Sequence, residues 1–174
     1  TTWAAIGGDT DTYFGVKTDG TLWGWGDNAG GEIGDNSKTK RSSPTQIPGT
    51  TWSYVTSAVY GTSFGLKTDG TLWGWGQNYF GLMGVNSSEP ARRSSPVQIP
   101  GTTWRSVEAG FRGTAIATKT DGTMWAWGNN QLGVQGQNDT VRRSSPVQIP
   151  GTDWQSTVGL DRQSVYAMKK DTTP

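Results

Sequence analysis

Short runs of alternating apolar and polar residues, each cut off by glycine or proline, succeed one another along the whole chain. None carries the three-to-four-residue spacing of an amphipathic helix, so the pattern predicts strands. In the first fifty residues it predicts four. The first runs from Trp3 to Ile6, ahead of a Gly pair, and the second from Tyr13 to Thr18. Asp19-Gly20 then reads as the dipeptide that supplies the positive φ angles of a tight hairpin. The third strand is Thr21 to Trp25, with Trp23 and Trp25 on one face and Leu22 and Gly24 on the other. The fourth is the short Thr45 to Ile47 segment between two prolines, which suits an outer edge because proline blocks further pairing.

The pattern then repeats. Trp3, Trp52, Trp104 and Trp154 recur roughly every 50 residues, the last three after Pro-Gly-Thr and one further residue. Lys17-Thr-Asp-Gly-Thr-Leu-Trp-Gly-Trp-Gly26 returns at 67–76, and at 119–128 with Met124 and Ala126 substituted. Gly34, Gly84 and Gly136 follow, then Arg-Ser-Ser-Pro at 41–44, 93–96 and 143–146, then Gln-Ile-Pro-Gly-Thr. The units are 3–51, 52–103 and 104–153, with a partial unit at 154–174, in one repeat domain. About four strands in about 50 residues is the signature of a β-propeller blade, so the expected fold is all-β, with about three and a half blades of four antiparallel strands in a partial or open propeller. Blades stack face to face, and a large ring then needs a small residue opposite it. Gly24, Gly74 and Ala126 are expected to provide that space. The recurring tryptophans accordingly read as core and not as a sugar-stacking platform.

Composition removes whole classes of chemistry. Cysteine and histidine are both absent, which excludes disulfides, zinc sites of the usual ligands, thiol nucleophiles and imidazole-based triads. Fifteen basic against fourteen acidic residues leave no global field for nucleic acid or an anionic membrane. No apolar run approaches the ~20 residues that span a bilayer. Neither a nucleic-acid partner nor membrane insertion is expected.

These segments resemble the repeat of the regulator of chromosome condensation family, whose members form seven-bladed propellers. The resemblance rests on the Lys-Thr-Asp-Gly-Thr-Leu-Trp-Gly-Trp-Gly runs, on Asn78-Tyr-Phe-Gly-Leu-Met-Gly84 and Asn130-Gln-Leu-Gly-Val-Gln-Gly136, and on Arg-Ser-Ser-Pro-Val-Gln-Ile-Pro. The Asp-Gly-Thr-Leu-Trp and Pro-Gly-Thr wording looks like bacterial and phage versions more than nuclear ones. Family repeats usually carry a histidine before the second strand, where this chain has Thr12, Thr62, Thr114 and Ser164. A hydroxyl can serve there by bonding the neighbouring backbone. The family's nucleotide exchange on a small GTPase needs a full propeller and a wedge loop, so the resemblance does not carry that activity to this chain.

Candidate chemistry is sparse. Asp27, Asn28, Glu32, Asp35 and Asn36 form an oxygen-rich loop of a kind that can hold Ca²⁺. The matching positions of the second unit are Gln77, Asn78, Leu82, Val85 and Asn86, so ordinary turn chemistry is the better reading and no metal or cofactor is expected. Asp9 with Asp11, or Asp161, are the only candidates for a glycosidase-type carboxylate pair. Asn86-Ser-Ser and Asn138-Asp-Thr fit the glycosylation pattern, which good turn residues also satisfy.

Binding residues are sought where the units differ. One variable stretch precedes the second strand and includes Tyr60, Phe111, Arg112, Asp161 and Arg162. The other lies between the third and fourth strands, where Lys38, Lys40, Arg41, Arg92, Arg93, Arg142 and Arg143 occupy nearly one phase as a basic ridge. Each set is expected to line one rim. The expectation is a non-enzymatic binding or structural module of a bacterial surface or phage virion, extracellular or virion-associated, that contacts protein or a surface glycan. An open arc also invites a homo-oligomer or larger assembly. An intracellular regulatory propeller docking a protein is the second reading, and a carbohydrate-active enzyme the third.

Overall fold

The computed structural model describes residues 2–87, 92–110, 112–155, 159–160 and 165–169. Three antiparallel sheets follow one another, each with its four strands in chain order. Blade 1 holds β1 (Trp3–Gly8), β2 (Thr12–Lys17), β3 (Leu22–Gly26) and β4 (Arg41–Ile47). Blade 2 holds β5 (Trp52–Ala58), β6 (Thr62–Lys67), β7 (Leu72–Gly76) and β8 (Arg93–Gln98), with a 3-10 turn at Tyr79–Gly81 before β8. Blade 3 holds β9 (Trp104–Ala109), β10 (Thr114–Lys119), β11 (Met124–Gly128) and β12 (Arg143–Ile149). The fourth unit contributes β13 (Gly159–Leu160) paired with β14 (Val165–Tyr166), and Trp154 is bridged to Lys169. These sheets make an open stack of propeller blades, as the repeat predicts.

Hydrophobic cores form between blades. One joins Phe14, Val16, Leu22 and Ile33 of blade 1 to Trp52, Val55 and Trp75 of blade 2. The next joins Phe64, Leu66 and Leu82 to Trp104, Val107 and Trp127 of blade 3. Both faces of blade 2 are therefore buried, and every residue of β6 from Thr62 to Leu66 is buried, serine and glycine included. β1 packs on β5 and β5 on β9, whereas no comparable contact joins the described residues of β4 to β8 or β8 to β12. Blades thus converge at their first strands and splay at their fourth.

Three expectations need correction. Asp19 does not take a positive φ; only Gly20 does, at 77°. Gly20 N–H bonds Lys17 O while Lys17 N–H bonds Thr21 O, so the hairpin closes as a four-residue turn with its glycine at the bulge. Asp19 instead accepts from Thr21 N and Thr21 Oγ1, which stiffens the turn from outside. Secondly, Gly24 and Gly74 do not make room for the next sheet's rings. A Cβ on Gly24 would meet Ile33 and Phe14 of its own blade, and one on Gly74 would meet Met83 O. The first-strand tryptophans lie on the second strand, where a Cβ on Gly15 or Gly65 would come within 2.5 Å of Trp3 or Trp52. Thirdly, the fourth strand begins at Arg41 and not at Thr45, so Arg-Ser-Ser-Pro is part of it. Pro44 is tolerated because this strand is the sheet edge.

The lysine of each Lys-Thr-Asp-Gly also has a structural role. Lys67 Nζ stands 4.8 Å from the Trp52 ring and 4.5 Å from Trp73, and Lys119 repeats this on Trp104 and Trp125. Each such cation clamps a first-strand ring to a third-strand ring. Thr12, Thr62 and Thr114 donate their hydroxyls to the carbonyls of Asp27, Gln77 and Asn129, doing the backbone-bonding work expected at that position. Ser164 lies outside the described residues.

A candidate binding surface at one end of the blades

Strand order alone settles where the loops go. In a four-stranded antiparallel sheet laid down in sequence, the first and third connections emerge at one end and the second at the other. Both variable stretches therefore share one end of each blade, not two separate rims. The opposite end is uniform. There the Asp-Gly hairpins receive the inter-blade links, Trp52 N–H bonding Gly20 O and Trp104 N–H bonding Gly70 O. A fixed end and a variable end are what a scaffold with a recognition surface requires.

At the variable end each β3–β4-type loop is organised by a buried asparagine. Asn28 Oδ1 accepts from Ile33 N, and its Nδ2 donates to Ser37 O and Thr39 O. Asn78 and Asn130 repeat the pattern, accepting from Met83 N and Gln135 N. Each loop then reaches the next blade. Trp75 Nε1 donates to Glu32 O at 2.8 Å, and Trp127 Nε1 to Leu82 O at 2.7 Å. Asn36 and Asn86 donate their N–H to Ser94 O and Ser144 O, which ties each loop to the fourth strand of the next blade. In the oxygen-rich loop of blade 1 these contacts take up the side chains of Asn28 and Asp35. Asp35 bonds Asn28, Ser37 and Arg41.

The basic ridge is only partly free. Arg41 is paired with Asp35 at 2.6 Å and Arg143 with Asp139 at 2.7 Å, so these two brace their own loops. Arg142 lies 4.7 Å above the Phe80 ring of the preceding blade. Lys38, Lys40, Arg92 and Arg93 are exposed at this end. Arg112 is exposed too, in the β9–β10 connection, and its carbonyl accepts from Asn129 Nδ2. Tyr60 stacks edge-on against Tyr79 and Phe80, 6.2 and 5.9 Å between ring centres. Phe111, Asp161 and Arg162 lie outside the described residues.

Sequence reasoning missed a cavity. Between the loops of blades 1 and 2 lies an opening of about 340 Å³, lined in part by Asp9, Asp11, Asp27, Glu32, Tyr60 and Tyr79. Glu32 is almost wholly buried, with Gly30 N and Gln77 Nε2 donating to its two oxygens. The signal that could have found the site is phase. Val59, Gly61, Gln77 and Leu82 stand in unit 2 where unit 1 has the four carboxylates.

Several loop and turn carboxylates are held below the usual aspartate range. The hydroxyl and N–H of Thr21, Thr71 and Thr123 do so for Asp19, Asp69 and Asp121. At Asp35 partial burial pushes upward, and hydrogen bonds from Ser37 and Arg41 with the Arg41 charge outweigh it. Arg143 heads the causes at Asp139. A carboxylate depressed on folding stabilises the fold fully above its unfolded value and loses that contribution as pH falls through the folded value. The thermal midpoint should therefore hold steady from neutral pH to about pH 5 and decline below about pH 4. Calorimetry across that range checks this, and a midpoint as high at about pH 3 as at about pH 6 would contradict it.

The family model described as the regulator of chromosome condensation (RCC1) repeat matches residues 19–66 and 69–117. Among solved structures, Prp20p from Saccharomyces cerevisiae superposes with a TM-score of 0.77 at 18% identity, over 95% of this chain and 42% of its own. Yeast RCC1 (Prp20) bound to Kap60 gives 0.79 at 19%, over 97% and 42%. Human WBSCR16 gives 0.72 at 21%, over 85% and 38%. The chain thus spans about two fifths of these structures' length, and at such identities the likeness is one of fold. No curated protein matches the chain.

Proposed function

Because the chain belongs to the regulator of chromosome condensation (RCC1) repeat family, we propose that it is a non-enzymatic binding module whose partner, a protein, sits on the variable end of the blades. The observation that carries this is the split between a uniform hairpin end and a loop end where charge and aromatic residues differ from blade to blade. Protein is favoured over glycan by the solved relatives, since Prp20p is described by its binding to Gsp1p and histones, and yeast RCC1 in complex with Kap60.

On this reading the free part of the basic ridge, Lys38, Lys40, Arg92 and Arg93 with Arg142, meets acidic groups of the partner and orients it. The setting we propose is extracellular or virion-associated, on the wording of the repeats; tail and capsid genes beside its gene would support it, and a nuclear location would overturn it. Affinity capture with quantitative proteomics tests the module. The partner should be retained by wild type and by Thr50→Lys at the hairpin end, and depleted about tenfold by Arg92→Gln with Arg142→Gln, more so at low salt. Capture indifferent to the loop-end changes would sink the reading. The enzymatic alternative predicts turnover of bacterial polysaccharides.

A further inference from the structure

We infer that the cavity between blades 1 and 2 receives a cationic side chain, lysine or arginine, from the polypeptide partner. This rests on the protein-binding reading and names the chemistry of one contact within it. The opening is at the small end of the range for ligand pockets, roughly 300–1,000 Å³, enough for one long side chain. Among the described residues its lining contains four carboxylates and neither lysine nor arginine.

The junction of blades 2 and 3 is built without a carboxylate at the positions equivalent to Glu32 and Asp27. Glu32 serves the blade junction through its backbone carbonyl, which accepts from Trp75 Nε1 and Ser63 Oγ. Leu82 does the same for Trp127 at the next junction with an apolar side chain. The acidic groups are thus concentrated at one of two equivalent junctions. Glu32 is moreover buried with only neutral donors and no ion pair among the described residues, whereas buried carboxylates are ordinarily paired with a cation. A second, independent observation is Ser57 Oγ, which lines the same cavity, is shut off from solvent and has no hydrogen-bond partner among the described residues. Its lone pairs suit an ammonium or guanidinium N–H.

Tyr60 and Tyr79 line the opening, offering aromatic rings against which a lysine stem or guanidinium packs. A metal ion fits less well: no group of three or more candidate ligands is close enough to hold one among the described residues. With the basic ridge farther out along the same end, the surface presents opposite charges side by side, which fixes how a partner lies across it.

The test uses the whole chain and fluorescein-labelled lysine–glycine, arginine–glycine and glutamate–glycine peptides, read by fluorescence anisotropy. Wild type should bind the two basic peptides and not the acidic one, with affinity falling as salt rises. Asp11→Asn with Asp27→Asn should weaken this about tenfold at an unchanged thermal midpoint, since neither side chain has a hydrogen bond to lose among the described residues. Tyr60→Ala should weaken it several-fold. In an isotope-labelled sample the Gly61 amide and Gln77 side-chain amide should shift on titration with the lysine peptide. Equal binding of all three peptides, indifference to the Asp11/Asp27 pair, or calcium binding by calorimetry without peptide binding would each overturn the inference. If it fails while Arg92→Gln with Arg142→Gln still depletes the captured partner, the module stands and only the cation assignment falls.

Discussion

Gly84→Ala is expected to lower the thermal midpoint by roughly 6–12 °C, and Gly136→Ala, at the same repeat position, by only about 2–4 °C. Both glycines have positive φ, 72° and 64°, so alanine carries a similar backbone strain at each, about 1 kcal/mol. They differ in what a methyl group would meet. At Gly84 the new Cβ would lie 2.8 Å from Trp127 Nε1, the atom that donates to Leu82 O. At Gly136 the nearest neighbour among the described residues is Ile149 Cγ2 at 3.5 Å, an ordinary contact. The indole at Gly84 is wholly buried, so it cannot move aside without disturbing the blade 2–blade 3 core and stretching its hydrogen bond. Overpacking and a weakened bond bring the cost to about 3 kcal/mol. Gly34→Ala should resemble Gly84→Ala, because its Cβ would lie 2.7 Å from Trp75 Nε1. Scanning calorimetry of the three variants isolates the inter-blade contact from the backbone term. Equal losses at Gly84 and Gly136 would mean that the loop-to-tryptophan junction contributes nothing measurable.

That junction also shows how far the sequence could be read. Blades were legible because Gly-Trp alternation, Asp-Gly turns and a fixed repeat all act locally and agree with one another. The Lys17, Lys67 and Lys119 clamps were legible in principle, since each lysine keeps its spacing to two tryptophans. Arg-Ser-Ser-Pro misled because proline is a breaker inside a sheet and harmless on its edge. The serines stand where the preceding blade comes close, since a Cβ on Gly31 or Gly81 would lie 2.7 Å from the Cα of Ser94 or Ser144. The acidic cavity was the least legible part. Its walls come from residues 9–32 of one blade and 57–79 of the next, and each carboxylate alone looks like turn chemistry. The basic ridge, conspicuous as a charge run, loses Arg41 and Arg143 to internal pairs that spacing by itself does not reveal.

The 174 residues purified by themselves are expected to self-associate, and Ile6→Lys with Tyr13→Lys should convert them to a monomer. Trp52 and Trp104 are each 2% exposed because the preceding blade covers them, while the equivalent Trp3 is 43% exposed. Around Trp3, Ile6 is 72% and Tyr13 45% exposed. Contiguous apolar surface of this kind marks an interaction face. Its polar features match as well: Ser42 and Ser43 are exposed on β4, whereas their counterparts on β8 and β12 are partly covered by the preceding blade's loop. The face is thus shaped for another blade of the same type, whether from an adjoining repeat or, for these 174 residues by themselves, from a second copy. A contact between that face and a different part of the copy is head-to-tail, so it closes into a ring or extends into a fibre. Sedimentation velocity over a range of concentrations should show species larger than the monomer for wild type and a single monomeric species for the double variant. Thr50 is exposed in the β4–β5 connection and is not one of the residues of this face, so Thr50→Lys should leave the distribution as in wild type. A wild-type chain that stays monomeric at every concentration, with Trp3 fluorescence as solvent-exposed as Ile6 and Tyr13 imply, would show that the face needs no such cover.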